Sequence, residues 1–207
     1  MSFENLREML SHTSPGFRCY YAGDRTEQLG FTARVRHVLG RPATDKALAQ
    51  LDSQLGDAGI VIRDLYAMHD GMILYCDTKS DAAGFELFPI TDWPTQTAEM
   101  RESMEAMGME VDEMPGWFSS GVVVGQIPHS ANYFVIGTTD DESGKIFYMD
   151  HDDFIKEPIA ENVASLIAAL LADPAQFLHD RGCYTRYSDG KTDRQWIPQQ
   201  YSNEASS

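Results

Sequence analysis

Asp140, Asp141 and Glu142 stand together, and Asp150, Asp152 and Asp153 surround His151 a short way on. Carboxylates with an imidazole could hold a divalent cation, or move protons, or form a charged surface. A calcium loop requires oxygen ligands at alternate positions and a closing Glu at the twelfth. Counted from Asp140, position 5 is Gly144 and position 12 is His151, so the spacing fails. Asp, Ser and Gly are also what an exposed turn tolerates, and a turn is the simpler reading of 140–144. The second group sits at the end of a strand-like segment, where neighbouring side chains point to opposite faces. Asp150 can share a face with Asp152, and His151 with Asp153. Neither pair makes a metal site without help, for which His129 and the His179-Asp180 pair are the candidates. A metal-dependent hydrolase using Asp150, His151 and Asp152 is therefore kept as an alternative.

The rest of the chain is short of local catalytic signals. It has no phosphate-binding glycine loop, no dinucleotide fingerprint, no nucleophile elbow, no H-E-x-x-H and no C-x-x-C. His12, His37 and His69 stand alone, and no cofactor is expected. Cys19, Cys76 and Cys183 are odd in number and lack metal spacing, which predicts reduced thiols rather than a disulfide framework. No basic-then-apolar leader opens the sequence, and the longest apolar run, "VASLIAALLA", is about half a bilayer span. A cytoplasmic location is the expectation.

Charge is the strongest compositional feature. The net charge is -16, and it is uneven. Residues 1–41 carry six Arg against four acids, a net of +2. Residues 179–207 carry four of each sign. Residues 42–178 carry six basic residues against 24 acids, a net of -18. Such a field repels nucleic acid and anionic membrane and attracts cationic partners.

These acids must be held by elements that the hydrophobic pattern locates. Ala47, Leu48, Leu51 and Leu55 predict a helix over 44–55. Ile62, Leu65, Tyr66 and His69 predict a second, with Asp57 as its cap and Gly71 at its left-handed end. "MILYC" and "GFELFPI" read as strands. A helix follows Pro94 with a stripe of Met100, Met104 and Met107, fit for a core or a docking face. "GVVVGQI", "YFVIGT" and "KIFYMD" read as three strands in a row. Ile159, Val163, Leu166, Ile167, Leu170 and Leu171 predict a closing helix with Pro158 in its first turn. Asp173 and Pro174 start another short helix.

Outside this region, Phe3, Leu6, Met9 and Leu10 suggest a helix, and "FRCYYAGD" and "FTARVRHV" suggest strands. Asp189-Gly190 marks a hairpin, and the polar end is expected to be disordered. Three parts result: an extension over 1–41, a domain over 42–178, and a hairpin and tail over 179–207. Consecutive strands on short turns pair antiparallel, so the fold class is α+β, an antiparallel sheet flanked by helices. Trp93, Trp117 and Trp196 all lie beside proline or glycine, and buried packing is the first reading of each; Trp117 beside Phe118 in "PGWF" is the best candidate for an exposed aromatic contact.

The order of the pieces resembles the SUKH (Smi/Knr-like) superfamily. "IRDLYAMHDG" looks like that family's helix and the dipeptide after it, here Asp70-Gly71. "FELFPITDW" is similar to its strand and the segment before its next helix. "GVVVGQI", "YFVIGT" and "GKIFYMDHDD" resemble its three-strand run, and "NVASLIAALL" its closing helix. The likeness covers 42–178, which is also the acidic stretch. It implies a non-catalytic protein-binding module. Many bacterial members are immunity proteins that neutralise a cognate toxin, often a nuclease. A carboxylate-rich surface would suit a basic toxin domain by standing where phosphates bind. Asp140, Asp141, Glu142, Asp150, Asp152 and Asp153 are the candidate contacts, with Trp117 as an apolar anchor. A structural interaction module within a larger assembly is the other alternative.

Overall fold

A computed structural model describes residues 10, 17–21, 31–106, 108, 114–128, 130–150, 157–174, 177, 187 and 196–198. The fold is α+β. At its centre six strands form an antiparallel sheet in sequence order: β3 (Val35–Leu39), β4 (Met72–Asp77), β5 (Phe85–Leu87), β6 (Val122–Ile127), β7 (Asn132–Ile136) and β8 (Ile146–Met149). Every neighbour in the sheet is a neighbour in the chain, so each connection is local and antiparallel. The three consecutive strands expected from "GVVVGQI", "YFVIGT" and "KIFYMD" are β6, β7 and β8, paired Val123↔Val135 and Phe134↔Tyr148 among others.

Helices α1 (Asp45–Leu55) and α2 (Ile60–Met68) connect β3 to β4, and α3 (Trp93–Ala106) connects β5 to β6. Thr44 caps α1, its hydroxyl accepting the Ala47 N–H at 3.2 Å. Gly56 ends α1 with φ +53. The buried face of α1 is Ala47, Leu48, Leu51 and Leu55, as the 3.6-residue pattern predicts. Helix α2 buries Ile62, Leu65 and Tyr66. Its expected cap, Asp57, is not one: a 3-10 turn over Gly56–Gly59 precedes it, Gly59 stands at the N-cap, and no side chain caps the helix. In α3, Met100 and Met104 are core residues, while Met107 lies outside the described residues.

One corner locks helices to sheet. Phe88 O accepts two buried donors, Tyr66 OH and Trp93 Nε1, both at 3.0 Å. The two rings meet edge to face with centroids 5.2 Å apart. Asp70 Oδ1 accepts the Ile90 N–H at 2.8 Å, and Gly71 O accepts from Gly40 N at 2.9 Å. Gly71 adopts φ +83, and a Cβ there would lie 2.8 Å from Pro89 N. Glycine is needed at that corner for both conformation and space.

The closing helix α5 (Val163–Ala172) starts later than its apolar period suggests. Asn162 Oδ1 accepts the Ser165 N–H at 2.9 Å and sets its N-terminus. Ile159 and Ala160 instead hydrogen-bond to the backbone of Ile146 at the start of β8. Backbone pairing outcompetes an extra helical turn just past Pro158.

The two ends of the chain differ from the sequence expectation. Strand β3, placed in the N-terminal extension, is an edge of the central sheet. Strand β1 (Phe17–Tyr21) pairs with both β2 (Phe31–Ala33) and β9 (Trp196–Pro198), so the described parts of the N-terminal and C-terminal segments share a second, three-stranded sheet. Tyr187, fully buried, donates its hydroxyl to Tyr75 O at 2.9 Å and ties the C-terminal segment to β4. The helix expected around Phe3, Leu6 and Met9, the hairpin at Asp189-Gly190 and the polar tail lie outside the described residues. Among the described residues no helix is long and apolar enough to cross a membrane.

Candidate partner-binding surface

The acidic turn between β7 and β8 is a built loop. Gly137 N donates to Lys145 O and Gly144 N to Gly137 O, both at 2.9 Å. Inside that frame Asp140–Glu142 form a 3-10 turn, with Glu142 N donating to Thr139 O and Lys145 N to Glu142 O, each at 3.0 Å. Gly144 closes the loop at φ +80, a conformation open to glycine at little cost. Asp141 is exposed and Glu142 half-buried. The loop is also anchored sideways to the short helix α4 (Gly116–Ser120): Thr138 Oγ1 donates to Ser120 O at 2.9 Å, and Ser120 Oγ lies 3.3 Å from Thr139 Oγ1. A Cβ on Gly116 would stand 3.4 Å from Glu142 Oε2, so the carboxylate lies over the start of α4.

Asp150 follows β8 and is half-buried. His151, Asp152 and Asp153 lie outside the described residues, as do His12, His129, the His179-Asp180 pair and Cys183. Among the described residues no group of three His, Cys, Asp or Glu side chains could hold a metal ion.

Trp117 corrects the expectation of an exposed anchor. It is fully buried, stacked on Phe147 of β8 with centroids 5.1 Å apart and planes 8° from parallel. Pro115 and Gly116 turn the chain into α4, and that short helix carries both Trp117 and Phe118 under the surface. Among the described residues the indole Nε1 has no hydrogen-bond partner. Trp93 is likewise core.

The exposed apolar residues lie elsewhere. Ile60 is 66% exposed and Val61 50% exposed, both in the first turn of α2. In "AGIVIRDLYAMH" the helical face through Ile62, Leu65 and Tyr66 leaves Ile60 and Val61 outside the apolar stripe, and the packing leaves them uncovered. Exposed Asp57 and Asp64 lie about one turn before and after them, and Arg63 is paired with Asp52 at 3.2 Å. The hairpin loop reaches this region, since a Cβ on Gly144 would lie 3.8 Å from Ala58 O. Two exposed aliphatic side chains therefore sit with the acids Asp57 and Asp64, and the Gly144 end of the acidic turn comes up against Ala58 just before them.

A strained centre lies on β4. Tyr75 has φ +56, opposite an irregularity in the pairing of β3 between Arg36 and Val38. Such a conformation costs a bulky residue on the order of 1–3 kcal/mol and persists where neighbours over-determine it. Here the Tyr75 N–H donates to His37 Nδ1 at 3.2 Å and its hydroxyl donates to Leu171 O at 3.3 Å. Its carbonyl accepts from Tyr187, and its ring meets His37 edge-on at 4.7 Å. Since Nδ1 accepts, the neutral imidazole carries its proton on Nε2. Burial holds the His37 pKa below the usual histidine value. Burial also pushes the Cys19 thiol up to about 12 and raises that of Cys76, so both stay protonated and are poor nucleophiles.

No protein-family model matches the chain, and no curated protein matches it significantly.

Proposed function

We propose that this chain is a non-catalytic protein-binding module of the immunity type, which neutralises a cognate bacterial toxin in the cytoplasm by covering a basic surface of it. The observation that carries the proposal is the -18 concentrated in residues 42–178, part of it on the hydrogen-bonded hairpin turn at Asp140–Glu142, where Asp141 is exposed. The SUKH-like order of elements supports the same reading. A toxin that acts on nucleic acid must present cations where phosphates bind, and carboxylates held by a hydrogen-bonded turn can occupy that site with little loss of entropy. Asp140, Asp141, Glu142 and Asp150 are the proposed contacts, with Asp152 and Asp153 continuing them in sequence. Trp117 has no part in the contact, because it is buried.

The test takes any toxin domain found encoded beside this chain as its probe, and the absence of one would count against the immunity role. The wild-type protein is expected to inhibit its activity at stoichiometric ratio, with affinity that falls as salt rises. The variant D140K/D141K/E142K/D150K is expected to bind at least about tenfold more weakly, with a shallower salt dependence. Unchanged affinity and salt dependence in that variant would refute the acidic contact surface. A failure of the wild-type chain to inhibit would refute the immunity role.

A further inference from the structure

We infer that the exposed Ile60–Val61 pair at the start of α2 is the apolar centre of a docking site for a cationic, aliphatic-bearing segment of a partner protein. The inference rests on the binding role proposed above and names its anchor. Ile60 and Val61 are large apolar side chains left 66% and 50% exposed, next to each other on a regular helix. Their neighbours Ile62, Leu65 and Tyr66 are buried, so the exposure comes from the direction of the helix face and not from a loose helix. Side by side and rimmed by polar groups, the two offer an apolar contact at the centre of a charged surface.

The rim decides the occupant. Asp57 and Asp64 flank the pair on its own element, and the backbone of the acidic β7–β8 turn reaches Ala58 through Gly144. Against these acids stand Lys145 and Arg63, and Arg63 is already paired with Asp52 at 3.2 Å. A second copy of the chain, at net charge -16, would bring like charge to the site. Nucleic acid would do the same. A segment with Lys or Arg around a Leu, Ile or Val side chain matches both the centre and the rim. Such a site orders an apolar core within a ring of charge, the usual anatomy of a protein interface.

The test titrates the full ¹⁵N-labelled chain with a short amphipathic Lys/Leu peptide and follows backbone amides by NMR. A Lys/Ser peptide of equal charge and a Glu/Leu peptide serve as the comparison probes. Shift changes are expected to centre on residues 57–64 and 141–145. The Lys/Leu peptide is expected to bind at least about tenfold more tightly than either comparison peptide. I60S/V61S is expected to weaken Lys/Leu binding at least about fivefold. Its melting temperature should stay at the wild-type value, since both side chains face solvent. Shifts centred elsewhere would overturn the inference. Equal binding by wild type and I60S/V61S, or by the Lys/Leu and Lys/Ser peptides, would overturn the apolar anchor. Binding of Glu/Leu as tight as Lys/Leu would overturn the role of the acids. Failure of the immunity role shows separately, in the toxin-inhibition assay.

Discussion

Trp117→Ala separates a core role from a binding role for the residue that the sequence offered as an exposed anchor. The indole is fully buried and lies flat on Phe147. Truncating a buried Trp costs about 3–5 kcal/mol in lost transfer energy and cavity formation, and the stacked pair accounts for roughly 0.5–1.5 kcal/mol of aromatic contact beyond area. A domain of this size is stable by about 5–15 kcal/mol, so the variant should lose roughly a fifth of its stability or more. Trp117→Phe is the informative companion. It keeps an aromatic ring against Phe147 and removes Nε1, a buried donor with no partner among the described residues. An orphaned donor costs about 1–3 kcal/mol, which offsets much of the smaller cavity. The net change is expected to stay within about 1.5 kcal/mol. Urea denaturation followed by far-UV circular dichroism reads both, without relying on tryptophan fluorescence. A Trp117→Ala protein with the wild-type urea midpoint would show that the indole is not packed as described. Partner affinity of the folded fraction should be unchanged in Trp117→Phe, whereas I60S/V61S should show the opposite pattern, full stability with weakened binding.

Two further outcomes test the frame that holds the surface. His37 is neutral in the fold and accepts the Tyr75 N–H, and burial lowers its pKa from the usual 6.5. The unfolded chain then binds more protons than the folded one below that value, so its contribution is present above about pH 6.5 and is lost as pH falls toward the folded pKa; thermal melts from pH 7.5 to 5 should show this slope, and it should flatten in His37→Gln, with an unchanged slope counting against a buried, neutral His37. Gly71→Ala places a Cβ 2.8 Å from Pro89 N at φ +83, and should destabilise by about 2 kcal/mol or more in urea denaturation; a neutral result would mean that the corner between α2 and β4 is not built this way.

Much of the central fold was legible because its signals are local. The apolar period through Ala47, Leu48, Leu51 and Leu55 and the run of Met100 and Met104 each mark a buried helix face, and the helices follow. The three strands from Val122 to Met149 were legible from short apolar runs broken by turn residues. The start of α5 was misjudged because Ile159 fits the helical period equally well, and only the pairing with Ile146 assigns it to the sheet edge. Trp117 was misjudged because a tryptophan beside Pro and Gly carries no record of which way the chain turns. Ile60 and Val61 went unremarked for the converse reason: apolar residues outside a helix's buried face look like spare core until packing leaves them uncovered.

The sequence by itself determined that the chain is acidic, that the acidity is concentrated in residues 42–178, that its strands pair antiparallel among helices, and that Asp140–Glu142 cap a turn. All of these follow from composition and from interactions within a few residues. Only the tertiary structure decided that β3 belongs to the central sheet and that the described N-terminal and C-terminal strands share a second one. It also decided that Trp117 lies in the core while Ile60 and Val61 lie out of it, and that the acidic turn comes to rest beside Ala58. Those outcomes depend on contacts between residues far apart in the chain, whose energies arise from shape and burial that no local pattern carries.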